Sequence, residues 1–206
     1  MPALQDRVAI VTGASRGAGR GIAVELGAAG ATVYVTGRST RHAPAPGYEG
    51  FLERTGLPAM PGSIEETVDE VAAAGGRGIP VRCDHTDPAQ VRELISRVER
   101  EQGRLDVLVN NAWGGHETFS LQSLDAPFWE QPLEHWESMF DHGVRNHVIA
   151  CHAAARRRAR ARIRLHRPRR PRDPAVRGVV VRARHRARKS RTSFQERSWP
   201  ALRSTA

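Results

Sequence analysis

The stretch Thr12-Gly13-Ala14-Ser15-Arg16-Gly17-Ala18-Gly19 decides the fold, because it follows a short apolar run and precedes a helical pattern. Gly13 permits a tight turn, Gly17 lets the backbone approach a pyrophosphate, and Gly19 allows a helix to pack closely on a strand. The helix N-terminus offers N–H groups and a partial positive charge to phosphates. This stretch predicts a dinucleotide site, and the alternative is a glycine-rich turn without a ligand. The candidate cofactor-binding residues here are Thr12, Gly13, Ser15, Arg16, Gly17, Ala18 and Gly19.

Strand and helix patterns alternate along the chain before and after this turn. Apolar runs at 7–12, 32–36, 78–83 and 105–110 predict strands, and helical spacing predicts helices at 17–29, from 64 to 75, from 87 onward and from about 133 to 155. The run at 7–12 is apolar and β-branched and does not alternate, which suits a strand of a parallel sheet covered on both faces. The order predicts an α/β fold: a Rossmann-type parallel sheet of strand order 3-2-1-4, incomplete, with helices on both faces.

Apolar spacing also predicts which helix faces are buried. The third helix presents Val91, Leu94, Ile95 and Val98, whereas the fourth carries a longer stripe: Trp136, Met139, Phe140, Gly143, Val144, His147 and Cys151. Cys83 and Cys151 are too few for a disulfide framework and are predicted to be small buried residues. No metal-ligand spacing occurs around the nine histidines, so no metal site is predicted.

The second strand ends in Val35-Thr36-Gly37-Arg38, which bears on the choice of dinucleotide. A site for NAD places a carboxylate at this point to bind the ribose 2′-hydroxyl. Gly37 takes that place here, and Arg38 follows it. A guanidinium suits a 2′-phosphate, and Arg16 in the glycine-rich turn is placed to reach the same group. The sequence therefore predicts NADP rather than NAD, and the alternative for each arginine is a solvated surface side chain.

The composition changes abruptly near residue 155. Residues 1–155 contain 13 arginines, no lysine and 20 acidic residues, whereas residues 156–206 contain 18 arginines, one lysine and two acidic residues. The formal charge of +10 thus combines a domain of −7 with a tail of +17. Sparse large apolar residues and extreme charge are typical of disorder. We predict a partial Rossmann-type domain over 1–155 and a disordered basic tail over 156–206.

The tail has two interpretations. Arg, Ala, Pro and Gly have G/C-rich codons, so the abrupt change resembles a shifted reading frame in a G/C-rich gene. The alternative is a genuine basic extension, which would hold nucleic acid only nonspecifically because it has no aromatic platform or base-reading motif. The N-terminus has no secretory pattern, and no run approaches the ~18 apolar residues that span a membrane. These features favour a cytoplasmic location.

Several motifs together resemble the short-chain dehydrogenase/reductase family: the turn at 12–19, Cys83-Asp84 after the third strand and Asn110-Asn111-Ala112 after the fourth. One branch of that family is also similar at 64–67, at 82–87 and at Trp113-Gly114-Gly115. The resemblance runs from about residue 5 to 150. It implies that Asp84 bonds the adenine edge, that His85 flanks it, and that Asn111 and Ala112 lie along the cofactor. It also implies a fourth helix in a subunit interface, so core packing and a homo-oligomer remain alternatives for its stripe.

The resemblance fails at the catalytic residues. The family transfers hydride between the nicotinamide and a carbonyl or alcohol with a Ser, a Tyr and a Lys four residues after the Tyr. The tyrosines here are Tyr34 and Tyr48, both upstream, and the lysine, Lys189, lies four residues after His185. The main branch also has an Asn seven residues after a fourth-helix Trp, where this chain, like the similar branch, has Gly143. No catalytic residue is assigned.

Three hypotheses for the function follow. The first is an NADP-dependent oxidoreductase by ancestry, acting on a small carbonyl or alcohol when intact and inactive in this chain. The second is a non-catalytic nucleotide-binding protein, and the third is a nucleic-acid binder that uses the basic tail. The sequence does not predict the substrate. Trp113, His116 and Phe128 are candidates for one wall of its pocket, with ordinary packing as the alternative.

Overall fold

The computed structural model describes residues 2–43, 45, 52–53, 61–114 and 126–165, with side chains for all of these except 156–165. Its centre is a parallel sheet of four strands: β1 (Val8–Thr12), β2 (Thr32–Gly37), β3 (Arg77–Arg82) and β4 (Val107–Val109). The spatial order is β3-β2-β1-β4, which confirms the predicted order. Val11 of β1 lies between Val35 of β2 and Val109 of β4.

The helices follow the strands as the sequence pattern predicts. In the described part of the chain they are α1 (Gly17–Ala28), α2 (Ile64–Ala73), α3 (Pro88–Gln102), α4 (Leu133–Met139) and α5 (Asn146–Leu165). A short 3₁₀ turn, Phe128–Glu130, precedes α4, and a π-helical turn, Phe140–Arg145, joins α4 to α5. Asp87 caps α3 and Pro88 is its first residue, as the sequence predicts.

The core has two parts, one on each face of the sheet. Successive side chains of a strand point to opposite faces. Val8 and Ile10 accordingly pack towards α3 and α5, whereas Ala9 and Val11 pack towards α1 and α2. The four predicted apolar residues of α3 are all buried, namely Val91, Leu94, Ile95 and Val98. Both faces of the sheet are therefore covered by helices, as predicted.

The fourth helical segment differs from its prediction. Trp136, Phe140 and Val144 of the apolar stripe are exposed, and so is Cys151, which the sequence predicted to be buried. The buried positions carry smaller or polar side chains: His135, Ser138, Gly143, Asn146, Ala150 and Ala153. Small side chains let the helix lie close to the rest of the fold, so the bulky stripe turns outward. In the described ranges no element covers it.

The end of α5 also differs. The sequence pattern predicts that order stops near Ala155, but α5 continues to Leu165, ten residues further. Ala and Arg are among the best helix formers, so a run of them extends an established helix without help from a core. The predicted end of the fourth helix near Ala155 therefore falls short of the described helix, and the prediction of a disordered tail over 156–206 stays a prediction that, beyond Leu165, lies outside the described residues. None of the helices described is long and apolar enough to cross a membrane.

Candidate functional site

A pocket opens at the carboxyl ends of the strands, where the order reverses between β1 and β4. Open α/β sheets bind ligands at this switch point. Its lining comes from four regions: the glycine-rich turn, the end of β2, the segment after β3 and the segment after β4 with the π-turn. The lining residues are Gly13, Ser15, Arg16, Gly37, Arg38, Ser39, Ala45, Cys83, Asp84, His85, Thr86, Asn111, Ala112, Trp113, Gly114, His142 and Asn146.

The glycine-rich turn has the backbone geometry that its spacing predicts. Gly13 has φ +64° and Gly17 has φ +56°, a left-handed conformation that favours glycine. A Cβ at Gly19 would clash with the carbonyl oxygen of Gly13 and with Nδ2 of Asn111, so only glycine allows this approach of backbone to backbone. No side chain in the described residues caps the N-terminus of α1. The amide groups at this end therefore have no side-chain acceptor from the N-cap position.

Thr12 and Asn111 fasten the turn to the end of β4. The hydroxyl of Thr12 donates to the carbonyl oxygen of Val109 and accepts from the backbone N–H groups of Asn111 and Ala112, both at 2.9 Å. Nδ2 of Asn111 in return donates to the carbonyl oxygens of Thr12 and Gly13, at 3.0 and 2.9 Å. Asn111 thus makes strand-end hydrogen bonds and lines the pocket at the same time.

The two arginines predicted to select NADP both lie at the pocket, beside the end of β2. The guanidinium of Arg16 donates to Oγ of Ser39 at 2.8 Å and to the carbonyl oxygen of Gly62 at 3.1 Å. Arg38 is partly buried at the strand end, and Gly37 before it carries no carboxylate. This corner of the pocket is therefore lined by cationic and hydroxyl groups.

Asp84 organises the turn after β3. Its Oδ1 accepts hydrogen bonds from the backbone N–H and the hydroxyl of Thr86, at 2.9 and 2.7 Å. Burial raises the pKa of Asp84, but the bonds from Thr86 and the charge of Arg38 outweigh it, so the net pKa is below its usual value. The carboxylate is therefore ionised at neutral pH. It caps this turn and also lines the pocket.

His85 is buried beside Asp84, and its tautomer follows from its neighbours. Thr36 donates its hydroxyl hydrogen to the carbonyl oxygen of Val11 at 3.0 Å, so Nε2 of His85 must donate to Thr36 Oγ1, 2.9 Å away. Nδ1 then keeps its lone pair, 3.9 Å from Sγ of Cys83. Burial lowers the pKa of His85 to about 4, only partly opposed by the charge of Asp84. His85 is therefore a neutral imidazole on the pocket floor.

The β4 side of the pocket is closed by the π-turn and the start of α5. The half-exposed ring of Trp113 lies on Gly143, where a Cβ would be 2.9 Å from Cδ1 of that ring. Nε2 of His147 is 3.2 Å from the carbonyl oxygen of Ala112, which can only accept, so Nε2 is the donor. His142 and Asn146 line this wall. Within the described ranges, no three His, Cys, Asp or Glu side chains form a metal-binding group.

Most of the predicted cofactor residues meet in this one pocket. Gly13, Ser15, Arg16, Arg38, Asp84, His85, Asn111 and Ala112 line it. The other predicted residues of the turn, Thr12, Gly17, Ala18 and Gly19, are not among the lining residues. Of the proposed substrate wall, Trp113 lines the pocket, Phe128 is an exposed residue outside the lining, and His116 lies outside the described residues. Sequence reasoning missed Ser39, Thr86, His142 and Asn146. Ser39, next to Arg38, and Thr86, within the stretch 82–87 noted above, carried a local signal.

Comparison with known sequences identifies relatives of the chain. The family model described as enoyl-(acyl carrier protein) reductase matches residues 57–163, just over half of the chain. Dehydrogenase/reductase SDR family member 1 of Mus musculus is 40% identical over 154 residues, which are 74% of this chain and 42% of the mouse protein. The Homo sapiens protein of the same name is also 40% identical over 154 residues. The chain thus spans less than half the length of these curated relatives.

Solved structures with the same architecture agree with these matches. A metagenomic short-chain oxidoreductase in complex with NADP superposes with a TM-score of 0.57 at 28% identity, covering 77% of this chain and 59% of that one. A short-chain type dehydrogenase/reductase from Mycobacterium marinum has a TM-score of 0.56 at 29% identity, covering 74% of this chain and 50% of that one.

Proposed function

Because this chain belongs to the short-chain dehydrogenase/reductase family, whose members bind a nicotinamide dinucleotide, we propose that it binds NADP at the carboxyl edge of its sheet. The proposal rests on one observation: the glycine-rich turn with its Arg16 and the strand-end residue Arg38 line the same pocket. The amides at the start of α1 face the pyrophosphate in this arrangement, since a helix N-terminus favours anions.

The choice of NADP over NAD rests on the corner formed by Arg16, Arg38 and Ser39. Two guanidinium groups supply donors and positive charge for a 2′-phosphate. NAD offers a neutral 2′-hydroxyl instead, for which a carboxylate acceptor at this strand end is the usual partner. Gly37 supplies none, so the corner favours the phosphate. The ionised carboxylate of Asp84 and the imidazole of His85 border the neighbouring space, which suits the adenine.

We also propose that this chain binds the cofactor without transferring hydride. Reduction of a carbonyl needs a proton donor at the oxygen, and loss of a general acid costs roughly 10²–10⁴-fold in rate. Of the two tyrosines, Tyr34 is buried in the core and donates to Oε2 of Glu101 at 2.6 Å. Burial and this bond raise the pKa of Tyr34 to about 12. An intact relative with Ser and Tyr-x-x-x-Lys would be an NADP-dependent oxidoreductase for a carbonyl or alcohol.

The decisive experiment compares the dissociation constants of NADPH and NADH for the purified chain and for Arg38→Leu. Each charge-assisted hydrogen bond to the phosphate is worth about 1.5–3 kcal/mol, so the wild type should prefer NADPH by roughly 10- to 100-fold. Arg38→Leu should lose that preference and keep its affinity for NADH. Arg92→Leu, on the exposed side of α3, removes the same charge away from the pocket and should change neither constant. Equal affinity of the wild type for both dinucleotides would contradict the proposal.

A further inference from the structure

We propose that Asn146 holds the nicotinamide half of the cofactor, by accepting a hydrogen bond at its side-chain oxygen. The inference rests on the proposed function and assigns a residue to the half of the dinucleotide that the glycine-rich turn and the arginines do not reach. Asn146 lies at the start of α5 and lines the pocket.

The two ends of the Asn146 side-chain amide differ in their hydrogen bonding. Its side chain is only 5% exposed, and Nδ2 donates to the carbonyl oxygen of His142 at 2.7 Å. Oδ1 is buried and has no hydrogen-bond partner among the described residues. A buried acceptor without a donor costs free energy, and solvent does not reach this one. A donor on a group that packs into the pocket would remove that cost.

The π-turn fixes the orientation of the Asn146 amide. The carbonyl oxygen of His142 accepts from Nδ2 of Asn146 and also from the backbone N–H of Gly114, at 3.2 Å. Because Nδ2 is held there, Oδ1 is the end of the amide that has no donor among the described residues. Arg145 of the same turn donates to the carbonyl oxygen of Thr86 at 3.3 Å, which ties the turn to the segment after β3. π-helical turns of this kind are frequent at functional sites.

The position of Asn146 in the pocket indicates which half of the cofactor it would contact. The corner with Arg16 and Arg38 lies at the end of β2, on one side of the glycine-rich turn. A dinucleotide that crosses the switch point from there continues towards the end of β4. That side is lined by Ala112, Trp113 and Asn146. The nicotinamide carboxamide and its ribose hydroxyls carry the donors that Oδ1 lacks.

The experiment compares NADPH with adenosine 2′,5′-bisphosphate, which contains the 2′-phosphate end and lacks the nicotinamide half. The matched variants are Asn146→Leu and Asn110→Leu. Oδ1 of Asn110 is likewise buried without a described partner, but Asn110 is not among the described residues that line the pocket. Asn146→Leu should weaken NADPH about tenfold, the effect of losing one hydrogen bond, and leave the bisphosphate unchanged. Asn110→Leu should change neither constant.

Each other outcome overturns the inference. If the dissociation constant of NADPH is unchanged in Asn146→Leu, Asn146 makes no contact with the cofactor. If NADPH and the bisphosphate are weakened equally, or if Asn110→Leu weakens NADPH as much, the role of Asn146 is structural. If Asn146→Leu does not fold, the wild type decides: NADPH must bind more tightly than the bisphosphate. Equal binding overturns the inference but leaves the proposed function standing. A wild type that binds neither probe overturns both.

Discussion

Thr12 and Asn111 show how single residues serve the fold and the site together. The hydroxyl of Thr12 joins the ends of β1 and β4, and the amide of Asn111 holds the glycine-rich turn at the edge of the pocket. Such residues were predicted from the sequence because a glycine-rich turn and a polar strand end obey local backbone constraints. Asn146 and His142 were not predicted, because their place at the pocket depends on a π-turn and on packing between distant segments.

His85 gives a prediction about pH. Its pKa is about 4 in the folded protein and has the ordinary value of 6.5 in the unfolded chain. Between these values the unfolded state binds more protons, so the free energy of unfolding falls as the pH is lowered. From pH 7 to pH 5 the loss should be about 2 kcal/mol.

The measurement is urea denaturation of the wild type and of His85→Gln at both pH values. Glutamine keeps an N–H donor for Thr36 but does not titrate in this window, so its stability should change less between the two conditions. The same pH dependence in both proteins would show that the imidazole is already solvated and chargeable in the fold.

At the scale of elements, the sequence predicted the four strands and their order correctly and misjudged the fourth helix. The four strands alternate with the first three helices, and this alternation of strand and helix is typical of parallel sheets. The stripe of Trp136, Phe140 and Val144 fits either a core or an interface, and hydrophobicity alone does not tell which surface a helix buries. The small residues of the helix face the rest of the fold because bulky side chains on that face would prevent close packing.

The N-terminal caps of α2 and α3 allow two variants of similar expected stability to be compared. Ser63 and Glu66 form a reciprocal capping box with both bonds at 3.1 Å, and Asp87 caps α3 through the N–H of Ala89 at 2.7 Å. Loss of such a cap costs about 1 kcal/mol, so Ser63→Ala and Asp87→Ala should lower the free energy of unfolding by similar amounts.

Only Ser63→Ala should also weaken NADPH, because the carbonyl oxygen of the preceding Gly62 accepts from Arg16. Titration of NADPH into the two variants tests this difference. Equal NADPH constants in both would mean that the start of α2 does not support the phosphate corner.

At the scale of the whole molecule, the charge divides the sequence into two parts. Residues 1–155 have a formal charge of −7 and include all the described residues that line the pocket, whereas residues 156–206 have a formal charge of +17. A cytoplasmic location, a homo-oligomer through the fourth helix and nonspecific binding of nucleic acid by the tail remain predictions.

The chain as a whole should bind NADPH without oxidising it. Absorbance of NADPH at 340 nm, followed with a panel of ketones and aldehydes, should stay constant because no Tyr-x-x-x-Lys is present to supply the proton. Turnover that disappears in Arg38→Leu would contradict this expectation.

Sequencing of codons ~145 to 206, read in all three frames, is the control for that result. A frame that encodes an apolar strand ending in Ser, followed by Tyr-x-x-x-Lys, would make the tail a shifted reading frame of an active relative. If no frame encodes it, the basic tail is a genuine extension.

The pairing of β1 with β4 has a consequence for synthesis on the ribosome. The bonds from Thr12 to Asn111 and Ala112 span 99 and 100 residues. Translation adds roughly 5–20 residues per second, so the first strand waits on the order of ten seconds for its partner. Once residues through the start of α5 have emerged, every described segment that lines the pocket is present. A message altered after that point would still encode all the described pocket residues, so under the proposed function its product would bind NADP without consuming it.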